Sequence, residues 1–278
     1  MKYSNSRLSD ALFDFLPNLQ ELLVLQCRGL ELTDGIFKKL SQLRRLDLGA
    51  QLDTNLCKNS SLQPLSELQE LNLEQVPETM NGQLFRPLTA LTHLRIQRRQ
   101  EGFATNKLFR FSSQLLVLDF NVSPTSDGTF SYLENLTELD ISDCNCSLIT
   151  DEAFRHLTKI RTLNMAECRQ STISDASFLH FNQLKSLKMS GCSQTSITNA
   201  AFQHLSQLSQ LDMAGCKQSC ITNEAFHHLT GLVHLDLSDC STNVNNEAFR
   251  HFSTLSSLSI RGCYHTAISD LAFRHLSK

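Results

Sequence analysis

The sequence has no tryptophan, three tyrosines and five prolines in 278 residues, and its net charge is only −3. So small a charge argues against binding nucleic acid or acidic membrane over the whole surface. No apolar run reaches the roughly 18 residues of a membrane span. The start, MKYSNSRLSDALFDFLP, lacks a signal-peptide core, because Asp10 and Asp14 interrupt it. The expected setting is therefore soluble and cytoplasmic, or nuclear, with no nucleic acid partner and no membrane insertion. Neither G-x-S-x-G, a P-loop, H-E-x-x-H nor a paired C-x-x-C occurs, so no enzymatic activity and no cofactor are expected.

What the sequence does contain is repetition. ITDEAFRHLTKIRTLNM (149–165) returns as ISDASFLHFNQLKSLKM (173–189), ITNAAFQHLSQLSQLDM (197–213) and ITNEAFHHLTGLVHLDL (221–237). Three residues after each copy stands a cysteine: Cys168, Cys192, Cys216 and Cys240. The wider frame L-x-x-L-x-L runs from Leu19/Leu22/Val24 to Leu255/Leu258/Ile260, through eleven occurrences. An apolar residue precedes each by six positions: Phe13, Phe37, Leu62, Phe85, Phe109, Phe130, Phe154, Phe178, Phe202, Phe226 and Phe249. Ten of the 17 phenylalanines thus fall at this one position, a bias that suggests one repeated core position rather than a varied interior.

Each half of a unit has its own period. Leu139 and Ile141 alternate with a period of two, which predicts a short strand with both apolar residues inward. Ala153, Phe154 and Leu157 mark one face of a short helical turn, with Thr150, Asp151 and Glu152 supplying capping oxygen and negative charge at its start. No unit can bury its face alone, so the units stack. The predicted fold is an α/β solenoid, a leucine-rich repeat horseshoe with a parallel sheet on the concave face and helical turns on the convex face. One solenoid is expected over 1–278, less regular in 1–130 and built of 24-residue units in 131–278. Pro77, Pro87 and Pro124 punctuate the irregular connections. Neither end carries a polar cap, which fits a truncated chain or end-to-end self-association.

The ITD/ITN run, the cysteine after the strand and the leucine frame resemble the cysteine-containing leucine-rich repeats of F-box proteins. The spacing of Ile149, Ala153-Phe154, Ile160 and Leu163 is also similar to BspA-like repeats. The first resemblance implies the substrate-binding part of a ubiquitin-ligase adaptor. The second implies a cell-surface adhesin or host-interaction protein. In either case the function is to bind another protein through the concave face.

Four constellations are candidates for function. The column between the strand leucines projects from the concave sheet: Asp47, Asn72, Arg95, Asp119, Asp140, Asn164, Lys188, Asp212, Asp236 and Ser259. It is a net acidic stripe, suited to a basic segment or else simply a solvated face. Arg95, Arg98 and Arg99, with His93, Lys107 and Arg110, form a basic cluster able to hold carboxylate or phosphate. Six cysteines at one repeat position (Cys144, Cys168, Cys192, Cys216, Cys240, Cys263) read as a buried, reduced ladder, since parallel neighbours do not reach disulfide geometry and do not converge on a metal. His156, His180, His204, His228, His251 and His275 form a second ladder, either a pH-sensitive or metal-binding spine or else structural filler beside the inward face of the turn. Stacked charges would repel, so stability should fall below about pH 6. The sequons at Asn59, Asn121, Asn135 and Asn145 read as accidental.

Overall fold

The computed structural model describes residues 13–24, 35–49, 60–74, 80–97, 107–168, 172–263, 268–274 and 276. The chain divides into two compact units, Met1–Val122 with Gly128–Leu136, and Ser123–Asp127 with Thr137–Lys278.

The first unit carries β1 (Glu21–Leu23), β2 (Arg45–Leu48), β3 (Glu70–Glu74), β4 (His93–Gln97) and β5 (Val117–Asn121). The second carries β6 (Glu138–Asp140), β7 (Thr162–Asn164), β8 (Ser186–Lys188), β9 (Gln210–Asp212), β10 (His234–Asp236) and β11 (Ser257–Ser259). Within each unit every strand pairs in parallel with its sequence neighbour. Leu22, Leu46, Leu71, Leu94 and Leu118 stand in one register row, and Leu139, Leu163, Leu187, Leu211, Leu235 and Leu258 in another. These are the strands the leucine frame predicts, and the fold is a leucine-rich repeat solenoid.

Several of the described helical halves are single 3₁₀ turns, among them Gly82–Phe85, Asp151–Phe154, Asn199–Phe202 and Asn223–Phe226, while Asp270–Phe273 is one α-helical turn. Asn81, Thr150, Ser174, Thr198, Thr222 and Asn245 cap them, each accepting from the amide two residues on. Their phenylalanines, from Phe37 to Phe249, are among the most deeply buried side chains. Burying one such ring is worth roughly 1.5–3 kcal/mol, so the ring column adds its cohesion to that of the buried leucine rows. Phe181 and Phe252 add edge-on contacts, 6.0 Å from Phe154 and 5.7 Å from Phe226 between centroids. Their two turns are also the longer ones, Asp175–His180 and Asn246–His251.

In the second unit the ITD/ITN run does more than cap its own turn. Asp127 accepts both the amide (2.6 Å) and the hydroxyl (2.9 Å) of Thr150, one repeat ahead. Asp175 does the same for Thr198, at 2.7 Å each. Asp151 accepts the Ser174 amide and hydroxyl and the Ser177 hydroxyl. Where the residue is Asn, its Oδ1 accepts the next cap's amide and its Nδ2 donates to that cap's oxygen, as Asn199 does to Thr222 and Asn223 to Asn245. Burial alone would raise the Asp151 carboxyl, but the Ser174 and Ser177 bonds outweigh it and hold the carboxyl below its ordinary value. The local charge effect expected of Asp151 is thus secondary to a rung between repeats.

Candidate functional site

Period-two alternation sends the residues flanking each inner leucine to the open face of the sheet. In the first unit this gives two adjoining columns, Arg45, Glu70, His93 and Val117 beside Asp47, Asn72, Arg95 and Asp119. They line a shallow depression of about 260 Å³. Its charges are largely paired: Arg45 lies 2.9 Å from Glu21 and 3.4 Å from Glu70, and Arg95 lies 2.8 Å from Asp119. Such half-exposed pairs contribute roughly 0–1 kcal/mol each, so they organise the surface more than they stabilise it.

The described members of the basic cluster are divided between two faces. His93 and Arg95 belong to β4 on the open face, whereas Lys107 and Arg110 lie on the turn 107–111, on the helical side. The chain leaves the sheet at Gln97 and reaches that turn only at 107, so closeness in sequence becomes separation across the repeat. Arg98 and Arg99 lie outside the described residues.

In the second unit the inner column is Asp140, Asn164, Lys188, Asp212, Asp236 and Ser259, in continuous register. Most of its acidic residues have a structural task. Asp140 Oδ1 accepts the Ser142 amide, Asp212 Oδ1 that of Ala214, and Asp236 Oδ1 that of Ser238. Asn164 likewise accepts from Ala166. These are Asx turns that close each strand's end, and they explain why Asp and Asn recur there. Asp140 is further occupied by Asn164 Nδ2, 2.7 Å from Oδ2. The second oxygens of Asp212 and Asp236 have no such bond among the described residues, and both residues, with exposed Lys188, line a depression of about 330 Å³. Gln210, His234 and Ser257 line it too. The candidate column omitted this outer row, although the alternation that located the inner one also marks it.

The described ladder cysteines are reduced, and all but Cys263 are buried. They are not only apolar filler. Cys168 donates to the Ile141 carbonyl (3.1 Å), Cys192 to Met165 (3.2 Å), Cys216 to Met189 (3.1 Å) and Cys240 to Met213 (2.8 Å). Each thiol therefore satisfies a carbonyl one repeat back. Burial, reinforced by a neighbouring thiol, pushes Cys192 up to about 12. Burial also pushes Cys240 up to about 12, and raises Cys216. The Cys146 sulfur, 3.9 Å away, and burial raise Cys168. Such thiols are poor nucleophiles.

The histidines do not form the expected spine. His180, His204 and His228 are exposed, and His156 is half-buried with Arg155 Nε 2.8 Å from its Nε2. With about three residues per 3₁₀ turn, the position two after a buried Phe points away from the core. Among the described residues only His227 and His251 bring their rings close, at 4.5 Å, and His275 lies outside them. Burial, then the neighbouring His227, lowers His251. Of the sequons, Asn135 donates to the Ser113 carbonyl and Asn145 accepts from Ser147, while Asn59 is outside the described residues.

No group of three or more potential metal ligands occurs among the described residues. No described helix is long and apolar enough to cross a membrane.

The model of the BspA-type leucine-rich repeat region matches residues 123–256 and 171–278, in six copies, and together these span more than half the chain. It is one of the two resemblances read from the sequence, and no match singles out the F-box type. No curated protein matches. Among solved structures, the chain is similar to the Drosophila Toll–Spatzle complex, at 16% identity and a TM-score of 0.61, covering 95% of this chain and 41% of that one. It is similar to the TLR13–ssRNA13 complex at 20% identity and a TM-score of 0.69, covering 97% and 44%. An internalin of Listeria monocytogenes gives 17% identity and a TM-score of 0.54, covering 98% and 87%. The chain thus spans less than half the length of the first two, and likenesses at these identities concern the fold alone.

Proposed function

The chain belongs to the BspA-type leucine-rich repeat family, and on that premise we propose that it is a protein-recognition scaffold whose open sheet face takes a basic segment of a partner. Asp212 and Asp236 carry this reading. They stand on adjacent strands in register, each with one carboxylate oxygen fixed in a turn and the other without a hydrogen bond among the described residues. A carboxylate oriented by its own backbone loses little freedom on meeting a Lys or Arg, and a charge-assisted bond follows. A fold whose solved examples hold Spatzle in one complex and RNA in another does not choose the partner. The side chains must do so, and beside Lys188 two carboxylates, Asp212 and Asp236, line the face. The expectation of no nucleic acid partner rests on charge alone and gains nothing from the fold.

Family membership favours a recognition or host-interaction protein of BspA type over the ubiquitin-ligase adaptor. The buried, reduced thiols support a reducing, cytoplasmic setting. Thiol titration of the denatured, unreduced native protein separates the settings: all ten cysteines titrate in the first case, whereas paired ladder cysteines speak for the surface. Binding is tested with a labelled oligolysine peptide by fluorescence anisotropy. Asp212→Asn with Asp236→Asn keeps the turn acceptor and removes the charge, so affinity should fall about tenfold with an unchanged melting curve. Equal affinity of wild type and double variant rejects the site.

A further inference from the structure

The helical side of the first unit differs in charge from that of the second. The residue following the buried Phe of each turn is exposed and often basic: Lys38, Arg86 and Arg110 in the first unit, Arg155, His227 and Arg250 in the second. In the second unit each of these has a glutamate three residues earlier, on the same side of the turn. Arg155 meets Glu152 at 3.1 Å, His227 meets Glu224 at 3.1 Å and Arg250 meets Glu247 at 2.7 Å. In the first unit the corresponding positions are Gly35, Gln83 and Lys107. Lys38, Arg86 and Arg110 therefore have no carboxylate partner among the described residues, and Lys39 and Lys107 extend the same strip.

Two of these cations are brought together. The guanidinium carbons of Arg86 and Arg110 lie 5.8 Å and 5.4 Å from the centroid of the Phe111 ring. The approach depends on Gly82, where a Cβ would meet the carbonyl oxygens of Leu108 and Lys107 at 2.6 and 2.7 Å. Without a side chain at Gly82 the turns 82–85 and 107–111 pack backbone to backbone, and Arg86 reaches the ring of the following repeat. Cation–π contact with one ring holds both guanidinium groups while leaving their N–H forks without a carboxylate among the described residues.

We infer that this strip is a second docking surface, for an acidic segment of a partner protein. Guanidinium forks held in place bind carboxylates two bonds at a time. Two other anionic partners fit less well. Phe111 is half-buried and already carries two guanidiniums, so no open ring face is offered to a nucleobase. Between residues 35 and 114 no described large apolar side chain is exposed, so nothing there would insert into a lipid surface.

The probe is a fluorescein-labelled oligoglutamate peptide, titrated with the whole chain at low and at physiological salt and read by anisotropy. Wild type should bind, more weakly at higher salt. Arg86→Gln with Arg110→Gln should lose about tenfold or more in affinity. Arg155→Gln with Arg250→Gln, whose cations are already paired, should change nothing. Gln83→Glu with Lys107→Glu leaves both arginines in place but supplies the glutamates the second unit has, and should abolish binding. This last pair decides the matter if the arginine variants lose their native circular dichroism. The inference is overturned if wild type does not bind, if either first-unit pair binds as wild type does, or if oligothymidylate binds as tightly as oligoglutamate. Wild-type dimerisation that disappears in both first-unit pairs would instead assign the strip to a second copy of this chain, and also overturns it.

Discussion

The two units share one apolar plan and differ in how their repeats are fastened. In the second unit successive repeats are linked by an Asp or Asn rung at the caps and by a thiol-to-carbonyl rung at the strand ends. In the first unit the described polar links between repeats are irregular, such as Gln114 to Leu88 and Thr92 to Gln69. A rung needs the same residue type at the same point of successive repeats, within hydrogen-bond reach of about 3 Å. A steady period of 24 or 23 residues provides that, and a varying one does not. Apolar contacts are non-directional and survive the variation. Regularity thus serves polar fastening, and on the helical side the less regular unit has cations without a carboxylate partner among the described residues, whereas the regular unit pairs several of its own.

The largest effect tests what the units share. Phe109→Ala and Phe202→Ala should each cost about 3–5 kcal/mol in urea unfolding, because both rings are fully buried. A much smaller loss at Phe109 would mean that the first unit does not depend on its ring column. Next comes a contrast in glycines. Gly82→Ala must displace backbone carbonyls and should cost about 1–3 kcal/mol. Gly231→Ala, whose nearest neighbour would be 3.9 Å away, should change stability by less than about 0.5 kcal/mol.

The rungs come third. Asp175→Ala leaves the Thr198 amide and hydroxyl without their acceptor and should cost about 1–3 kcal/mol, whereas Asp175→Asn, the residue found at Asn199, should be much milder. The charge of such a rung is visible in acid. Asp151 is held below its ordinary value of 3.8, so its contribution is complete above that value and is lost as pH falls through the lower, folded-state one. The melting-temperature gap between wild type and Asp151→Asn should accordingly narrow only in that acid range. A constant gap down to pH 2 would show that the lowered carboxyl adds no stability.

The smallest effect concerns histidine. His251 is lowered below 6.5, so protonation favours the unfolded chain, and stability should decline slightly as pH falls through 6.5 toward the folded-state value. His227→Gln removes the neighbouring charge and should shrink that decline, while His204→Gln should not. Equal behaviour of the two variants in thermal melts between about pH 7.5 and about pH 5.5 would restore the idea of a cooperative spine.

Strand positions, ring column and capping residues were legible because each is a local pattern with its own period: Leu-x-Leu, Phe six residues earlier, Ser or Thr before the turn. The open-face residues were half legible. Alternation identified Asp212 and Asp236 as outward-facing, but not that one oxygen of each is consumed by a turn, since Asx geometry depends on backbone angles beyond the strand. The described part of the basic cluster was not legible as divided, because Arg95 and Arg110 are near in sequence while the first lies on the open face of the sheet and the second on the helical side. The histidine ladder misled because the second residue after a buried Phe turns away from the core in either kind of helical turn, by about 120° in a 3₁₀ turn and about 160° in an α-helix.

By itself the sequence determined the repeat class, the eleven strands and the buried column, because hydrophobic periodicity acts within one unit and needs no knowledge of its neighbours. Only the tertiary structure decided what passes between repeats. Asp151 reaching Ser174, Cys192 reaching Met165, and Arg86 and Arg110 sharing Phe111 all join residues from different repeats. Hydrogen bonds and cation–π contacts are short-ranged and directional, so they exist only after stacking has set one repeat against the next.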